Sequence, residues 1–340
     1  DGTVPDGTVP DRVGARPEAA SCADNAEALA PSHGLPRGPL SLPGRRTLAA
    51  TWRSTPGRPA LTGDPRTARM GPEPTSMRMP DLDRPRWIAP DVCSLGPWGR
   101  TQTNVFFVHS DDGWALVDAG WERDADRIVA AVRSVAGPSV RPVVIVLTHC
   151  HPDHSGAALT LARTWGCPVA MHPDELPIAT GDLAAMTAWA GPLDRWVILP
   201  MMRALSQRRR DAVLARASLA SVAETLDPRD PVPGMPGWRC LPTPGHTPGH
   251  LAFYRPADRV LLSGDALLTL QVNTWAGLLT QRQALSGPPW YTTWDPAAAA
   301  SSLRTLAGLR PSCLGSGHGW PRTDPWTADD VATFAAGVKG

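Results

Sequence analysis

The segment His149-Cys150-His151-Pro152-Asp153-His154 sets three imidazoles and a carboxylate in six consecutive positions, directly behind the apolar run Val143-Val144-Ile145-Val146-Leu147. Crowded imidazoles repel one another when protonated and give up solvation, so such a cluster points to a cation that holds it. The pattern is that of a buried strand ending in a metal-ligand loop. Later segments offer more donors. His246 and His250 sit in the tight loop Pro244-Gly245-His246-Thr247-Pro248-Gly249-His250, Asp265 follows the apolar run Val260-Leu261-Leu262, and His318 stands between two glycines behind Cys313-Leu314. One metal needs three or four ligands, and two bridged metals need more; mixed nitrogen and oxygen donors suit Zn²⁺ and are compatible with Fe or Mn. The chain carries the larger set. A divalent ion lowers the pKa of a bound water from about 15.7 to near 7, which makes a nucleophile at neutral pH, and a second ion can take up developing negative charge.

These donors need elements to position them. Asn104 to His109 reads as a strand, Asp111-Asp112-Gly113 as a turn and Trp114 to Asp118 as the returning strand. Ile128, Val129, Val132 and Val135 have helical spacing within 122–136, ahead of the breaker Gly137-Pro138 and the buried strand 143–147. Beyond the ligand loop, 156–165 reads as a short amphipathic helix and 167–171 as a strand ending at His172. Alternating strands and helices imply a layered α/β architecture with ligands on loops at strand ends. The window from about 176 to 230 differs, with helical spacing broken near Gly191-Pro192 and at Pro200, and reads as a helical insertion whose Met and Trp residues belong first to packing. Strands return at 251–254 and 260–262. Asp295-Pro296 reads as an N-cap with Pro at N1, opening a helix to about Leu309, and a last helix is expected from Thr327 with Asp330 completing a capping box.

Residues 1–85 are unlike the rest, with a direct Asp-Gly-Thr-Val-Pro repeat at 1–10, prolines throughout and no apolar periodicity. Such a segment buries too little apolar surface to offset an ordering cost of roughly 1–2 kcal/mol per residue, so a disordered leader is expected, followed by one domain over 86–340. It has no apolar core of a secretory signal, and the first methionine is Met70. No apolar run is long enough to span a bilayer. The net charge of +1 advertises neither nucleic acid nor a membrane surface as partner, and Arg208-Arg209-Arg210 reads as a solvated helix face. Six cysteines without C-x-x-C spacing fit reduced thiols in a cytoplasmic protein. A small-molecule substrate is the expected partner; oligomeric state is not legible.

The motif 149–154 resembles the H-x-H-x-D-H signature of the metallo-β-lactamase fold superfamily. Val117-Asp118-Ala119-Gly120, Thr243 to His250, Ser263-Gly264-Asp265 and Gly317-His318-Gly319 resemble its other motifs, in order, over Ile88 to Val338. The resemblance implies a four-layer αββα sandwich with the site at one edge. By position it implies that His149, His151 and His246 bind a first metal, that Asp153, His154 and His318 bind a second, and that Asp265 bridges two ions, most simply zinc. Asp118 then buttresses the ligand loop, and His250 lines the pocket or supports a ligand. His172 reads as structural, and Cys150, by strand alternation, points away.

The superfamily hosts many reactions, so the fold alone does not choose among them. Flavin-linked diiron members resemble H-x-E-x-D where this chain has His151. The β-lactamases generally carry Cys or Ser at the place of Asp265. Quorum-quenching lactonases often have a Tyr just after that Asp, where this chain reads Ala266-Leu267-Leu268, and the C-terminal helical domain of glyoxalase II-like thioesterases is not expected here. The expectation is a hydrolase of an ester-type bond, thioester or lactone, in which a metal-bridging hydroxide held by Asp153 attacks the carbonyl. The alternatives are a mononuclear iron sulfur dioxygenase of the same fold and a β-lactam hydrolase.

Overall fold

The computed structural model describes residues 84–338, so the expected leader lies outside the described residues but for its end. A seven-stranded sheet holds β1 (Arg86–Ala89), β2 (Val92–Trp98), β3 (Thr103–Ser110), β4 (Gly113–Val117), β5 (Val144–Val146), β6 (Val169–Met171) and β7 (Ala223–Thr225), in chain order across the sheet. The first four form an antiparallel meander, whereas β4 to β7 run parallel. Parallel neighbours require crossovers. These are α1 (Ala125–Ala136), then α2 (Pro152–Ser155) with α3 (Ala158–Trp165), then the insertion with α4 (Leu176–Thr180), α5 (Leu183–Ala188), α6 (Leu199–Ala204) and α7 (Gln207–Ala217).

A second sheet has the order β13-β10-β9-β8, from β8 (Arg239–Pro242), β9 (Leu251–Arg255), β10 (Val260–Gly264) and β13 (Cys313–Ser316). Between β10 and β13 lie the ribbon β11 (Leu268–Leu270) and β12 (Gln283–Ser286), α8 (Trp275–Thr280) within it, and α9 (Pro296–Gly308); α10 (Thr327–Ala336) ends the described chain. Because β8 and β10 each oppose β9 and β13 parallels β10, the carboxyl ends of β8, β10 and β13 share one edge. Thr148 O, just past β5, accepts the Leu251 N–H at 2.8 Å, which joins the two sheets at that edge.

The alternation of side chains along the strands builds the layers. Val105, Phe107, Leu116 and Ile145 pack outward against Ile128 and Val132 of α1 and Leu161 of α3. Their neighbours Phe106, Val108, Val117, Val144 and Val146 face Leu251, Phe253, Val260 and Leu262 of the second sheet. Tyr254, Leu261 and Leu314 turn the other way, onto Leu303, Leu306 and Val331 of α9 and α10. The result is the four-layer αββα sandwich. Full burial of side chains such as Phe107 and Phe253 contributes about 1.5–3 kcal/mol each.

Several expectations shift at this level. The Pro152–Ser155 stretch is a helical turn rather than a loop, because Pro152 takes an N1/N2 position behind the extended His151. Residues 223–225, expected within the helical insertion, form the short edge strand β7, too exposed to show alternation. Pro200 does not break the insertion: a π-helical turn, Asp194–Ile198, leads into α6 with Pro200 in its first turn, where no amide is needed. The Thr327/Asp330 capping box is absent. Asp324 instead accepts from Trp326 N at 3.0 Å and Thr327 Oγ1 at 3.2 Å, and Asp330 pairs with Arg322. The Asp295 cap forms as expected, with Oδ1 accepting from Ala297 N and Ala298 N at 3.0 Å each. Replacing Asp295 by Ala should cost about 1 kcal/mol, a fall in melting temperature of roughly 2–4 °C; calorimetry showing no shift would leave the cap without energetic weight. Arg208, Arg209 and Arg210 lie on α7, which buries none of its residues, and no described helix is long and apolar enough to cross a membrane.

Candidate metal centre

Each donor segment follows the carboxyl end of a strand: 149–154 after β5, 243–250 after β8, Gly264-Asp265 at the end of β10 and 317–319 after β13. The shared edge therefore brings residues far apart in sequence to one place. His149 Nε2 lies 3.1 Å from His151 Nδ1, which lies 2.9 Å from His246 Nε2. A second group gathers around Asp153: His318 Nε2 is 3.4 Å and His154 Nε2 3.9 Å from its Oδ2. Asp265 stands between the groups, Oδ2 at 3.5 Å from His246 Nε2 and 3.2 Å from His318 Nε2, Oδ1 at 3.4 Å from His154 Nε2. All seven residues singled out in the sequence thus converge.

Hydrogen bonds behind the rings fix which nitrogens face inward. Asp118, in the left-handed region at φ 63°, accepts from Thr148 N at 2.8 Å and from Thr148 Oγ1 at 2.9 Å. The single hydroxyl proton of Thr148 is thereby used, so His149 Nδ1, 3.0 Å away, donates to Oγ1 and leaves Nε2 bare. His154 Nδ1 donates to Asp118 Oδ2 and His318 Nδ1 to Thr101 O, both at 2.8 Å. Thr293 Oγ1 spends its proton on Pro289 O at 2.7 Å, so His246 Nδ1 donates to it at 3.4 Å. Four imidazoles are thus held with a lone pair toward the centre. His250 is the instructive contrast. Its Nε2 already accepts the Asp265 N–H at 3.0 Å while Nδ1 faces Thr243 Oγ1 at 2.7 Å, so it supports Asp265 and has no nitrogen left for a metal.

Electrostatics follow the same division. Burial, then the neighbouring imidazoles, holds His149 and His246 well below the ordinary histidine value, as neutral nitrogen donors. Burial opposes charge on His154 and His318 too, but Asp265 with Asp153, and Asp118 for His154, outweighs it and raises both. Burial would raise Asp265, yet His318 and His154 pull it well down. A positive charge among these groups is favoured. His154 Nε2 and Asp265 Oδ1 are buried with no hydrogen-bond partner, as expected of atoms oriented to a cation. The donor atoms fall into three triads, His149/His151/His246, His149/His154/Asp265 and Asp153/His154/His318, each within 4.8 Å. Nitrogen and carboxylate donors of this kind fit Zn²⁺ and also Fe or Mn.

The remaining expectations find their places. The Cys150 thiol lies 3.7 Å from Met171 Sδ, away from the donors, and burial followed by the nearby Glu175 carboxylate raises its pKa far up, so it stays a packed thiol. His172 Nδ1 accepts from Asp174 N at 3.1 Å and caps a turn. The five described cysteines are all free and buried. Sequence reading missed the supports: Thr148, Thr293, Glu175 and Asn104, whose Nδ2 donates to Ser316 O at 3.0 Å and Gly319 O at 2.6 Å and so fixes the His318 turn. Gly317 is required by close approach, since a Cβ there would stand 2.1 Å from Asp265 Oδ1.

Residues 98–318 match the Lactamase_B family, described as the Metallo-beta-lactamase superfamily. The chain belongs to the metallo-beta-lactamase superfamily. Among its relatives, Probable metallo-hydrolase YflN of Bacillus subtilis (strain 168) is 34% identical over 235 residues, 68% of this chain and 86% of that protein. Probable metallo-hydrolase YqgX of the same organism is 27% identical over 245 residues, covering 72% and 97%. Among solved structures, a beta-lactamase domain protein from Burkholderia ambifaria superposes with a TM-score of 0.52 at 21% identity, covering 77% of this chain and 79% of that one, a likeness of fold. This metallo-beta-lactamase superfamily chain therefore pairs the fold with candidate metal sites at its strand-end edge.

Proposed function

We propose that the protein is a metallo-hydrolase with two divalent ions, zinc most simply, that cleaves an ester-type bond, a thioester or a lactone, in a small substrate. The observation that carries this is the place of Asp265, whose two oxygens lie 3.2–3.5 Å from imidazoles of both donor groups. An intact carboxylate there, in a set of seven donors, suits a bridged pair. His149, His151 and His246 would hold one ion, Asp153, His154 and His318 the other, with Asp265 shared. Two such ions lower the pKa of a bound water toward about 7 and polarise a carbonyl. The names of YflN and YqgX agree with the hydrolase class.

The chain's own groups supply the rest. The Asp153 carboxylate would accept the proton of the attacking water on the oxygen it does not give to the ion and pass it to the leaving oxygen or sulfur, which balances the hydrolysis. The bare ring nitrogens are preoriented by Thr148, Asp118, Thr101 and Thr293, so no reorganisation is needed at the moment of reaction. An apolar acyl or aryl group would suit the apolar residues of the loop and insertion that adjoin His246. Thr293 and Trp294 bond to His246, and Tyr291 O accepts from Leu193 N at 2.6 Å, so one loop ties this ligand to the insertion. Leu193, Trp196, Trp290 and Trp294 on these two elements are exposed.

Metal quantification on the purified chain, coupled to a panel of small esters, thioesters, lactones and β-lactams, tests the proposal. Two equivalents of zinc with hydrolysis of thioesters or lactones, lost on chelation and restored by zinc, is the expected result. One equivalent of iron with oxygen uptake would overturn it in favour of a sulfur dioxygenase, and turnover confined to β-lactams would overturn the substrate class.

A further inference from the structure

We propose that Glu175 is a positioning residue that sets the spacing of the His149/His151/His246 donor triad by clamping together the two segments that carry it. Glu175 is fully buried at the end of the short 3-10 turn Pro173–Glu175, directly behind β6. Its Oε2 accepts the N–H of Cys150 at 2.9 Å, and its Oε1 accepts the N–H of Gly249 at 3.0 Å. Cys150 stands between His149 and His151; Gly249 is three residues beyond His246. One carboxylate thus joins the ligand segment of the first sheet to the ligand loop of the second.

The surroundings hold the clamp in place. The Asp174 N–H bonds to His172 Nδ1 at 3.1 Å and so fixes the turn that carries Glu175. A Cβ on Gly249 would lie 2.9 Å from Glu175 Cγ and 3.0 Å from Glu175 N, so the loop lies flat on the turn and only glycine fits. Two diverging N–H groups need an acceptor with two free oxygens. A carboxylate provides both, whereas a carboxamide of the same shape accepts at one end and sets its own N–H₂ against a backbone N–H at the other. The second donor group is secured differently, His154 by Asp118 and His318 by Thr101 O. Losing the clamp should therefore loosen one metal position and spare the other.

This inference rests on the proposed division of the seven ligands into two sets, and the test separates the two ideas. Zinc is titrated into the metal-free chain against a chromophoric chelator, for wild type, Glu175→Gln and a stability control, Val132→Ala, on the buried face of α1 and outside every donor segment. Wild type should take up two equivalents. In Glu175→Gln one equivalent should weaken by about 10–100-fold, the range for outer partners of metal ligands, while the other stays within about twofold; Val132→Ala should melt earlier with both affinities kept. Should Glu175→Gln fold poorly, Gly249→Ala, which pushes the loop off the same carboxylate, carries the same expectation. Unchanged affinities, or an equal loss at both equivalents, would overturn the clamp. A wild-type chain that takes up fewer than two equivalents would overturn the two-set division itself.

Discussion

Replacing Asp153 by alanine should lower turnover by about 10²–10⁴-fold, the range of a well-placed acid or base, with the melting temperature within a few degrees of wild type. The Asp153 side chain is 17% exposed, and its ion-pair partners among the described residues are the ring nitrogens of His154 and His318. It therefore belongs to the mouth of the centre and not to the packed layers behind it. Asp265, at 3% exposure, sets its two oxygens against the rings of His154, His246 and His318, so its removal would strip a buried charge from all three. An Asp153→Asn variant separates two roles. The amide keeps an oxygen donor of the same shape but cannot accept a proton, so a chain that retains its metal and loses turnover points to the proton-transfer role. A variant that loses both metal and turnover points to ligation first. Full activity in Asp153→Ala would remove Asp153 from the mechanism and with it the assignment of a proton acceptor at this edge.

Most of the candidate donors were legible in the sequence because they stand just behind an apolar run, and a strand of period two ends where its side chains turn polar. His149 behind 143–147, Asp265 behind 260–262 and His318 behind Cys313-Leu314 all obey that rule, and His246 is marked by the glycines and prolines around it. Their outer partners carry no such mark. Thr148, Thr293 and Glu175 matter only because folding brings them to a ring or a backbone N–H, Glu175 from 25 and 74 residues away. The same limit explains the misplaced cap of the last helix. Thr327 and Asp330 have the right spacing for a capping box, but Asp324 reaches the same amide region first, and Arg322 draws Asp330 aside. The edge strand β7 shows no strand signal in the sequence for a related reason: three residues, two of them exposed, are held by pairing with β6 and not by a pattern of their own. Position relative to strands could be read locally, whereas the second ring of contacts, which sets tautomer and spacing, is a property of the assembled sheets.

The second large effect is expected at Gly245, where alanine should destabilise the domain by about 4 kcal/mol and displace His246. Gly245 has φ +129°, a conformation open to glycine and strained for a residue with a Cβ, at a cost of about 1–3 kcal/mol. A Cβ built there would lie 2.1 Å from Ala299 N and 2.4 Å from Ala299 Cα, which are backbone atoms in the first turn of α9. Flexible side chains can swing aside; a helix backbone cannot. Overpacking of this kind costs about 1–3 kcal/mol more. The contact is reinforced from the other side, since Asp295 N donates to Gly245 O at 2.8 Å and Ser302 Oγ donates to Pro244 O at 2.7 Å. The loop can therefore yield only by parting from α9 or by moving the next residue, His246. For a domain of this size about 4 kcal/mol corresponds to a fall of roughly 8–16 °C in melting temperature, and the zinc affinity of the equivalent that depends on His246 should fall with it. Asp295→Ala serves as the reference, because it loosens the same helix end without adding an atom to the loop. If Gly245→Ala melts no earlier than Asp295→Ala and binds zinc as wild type does, the seating of the His246 loop on α9 is not what holds that ligand.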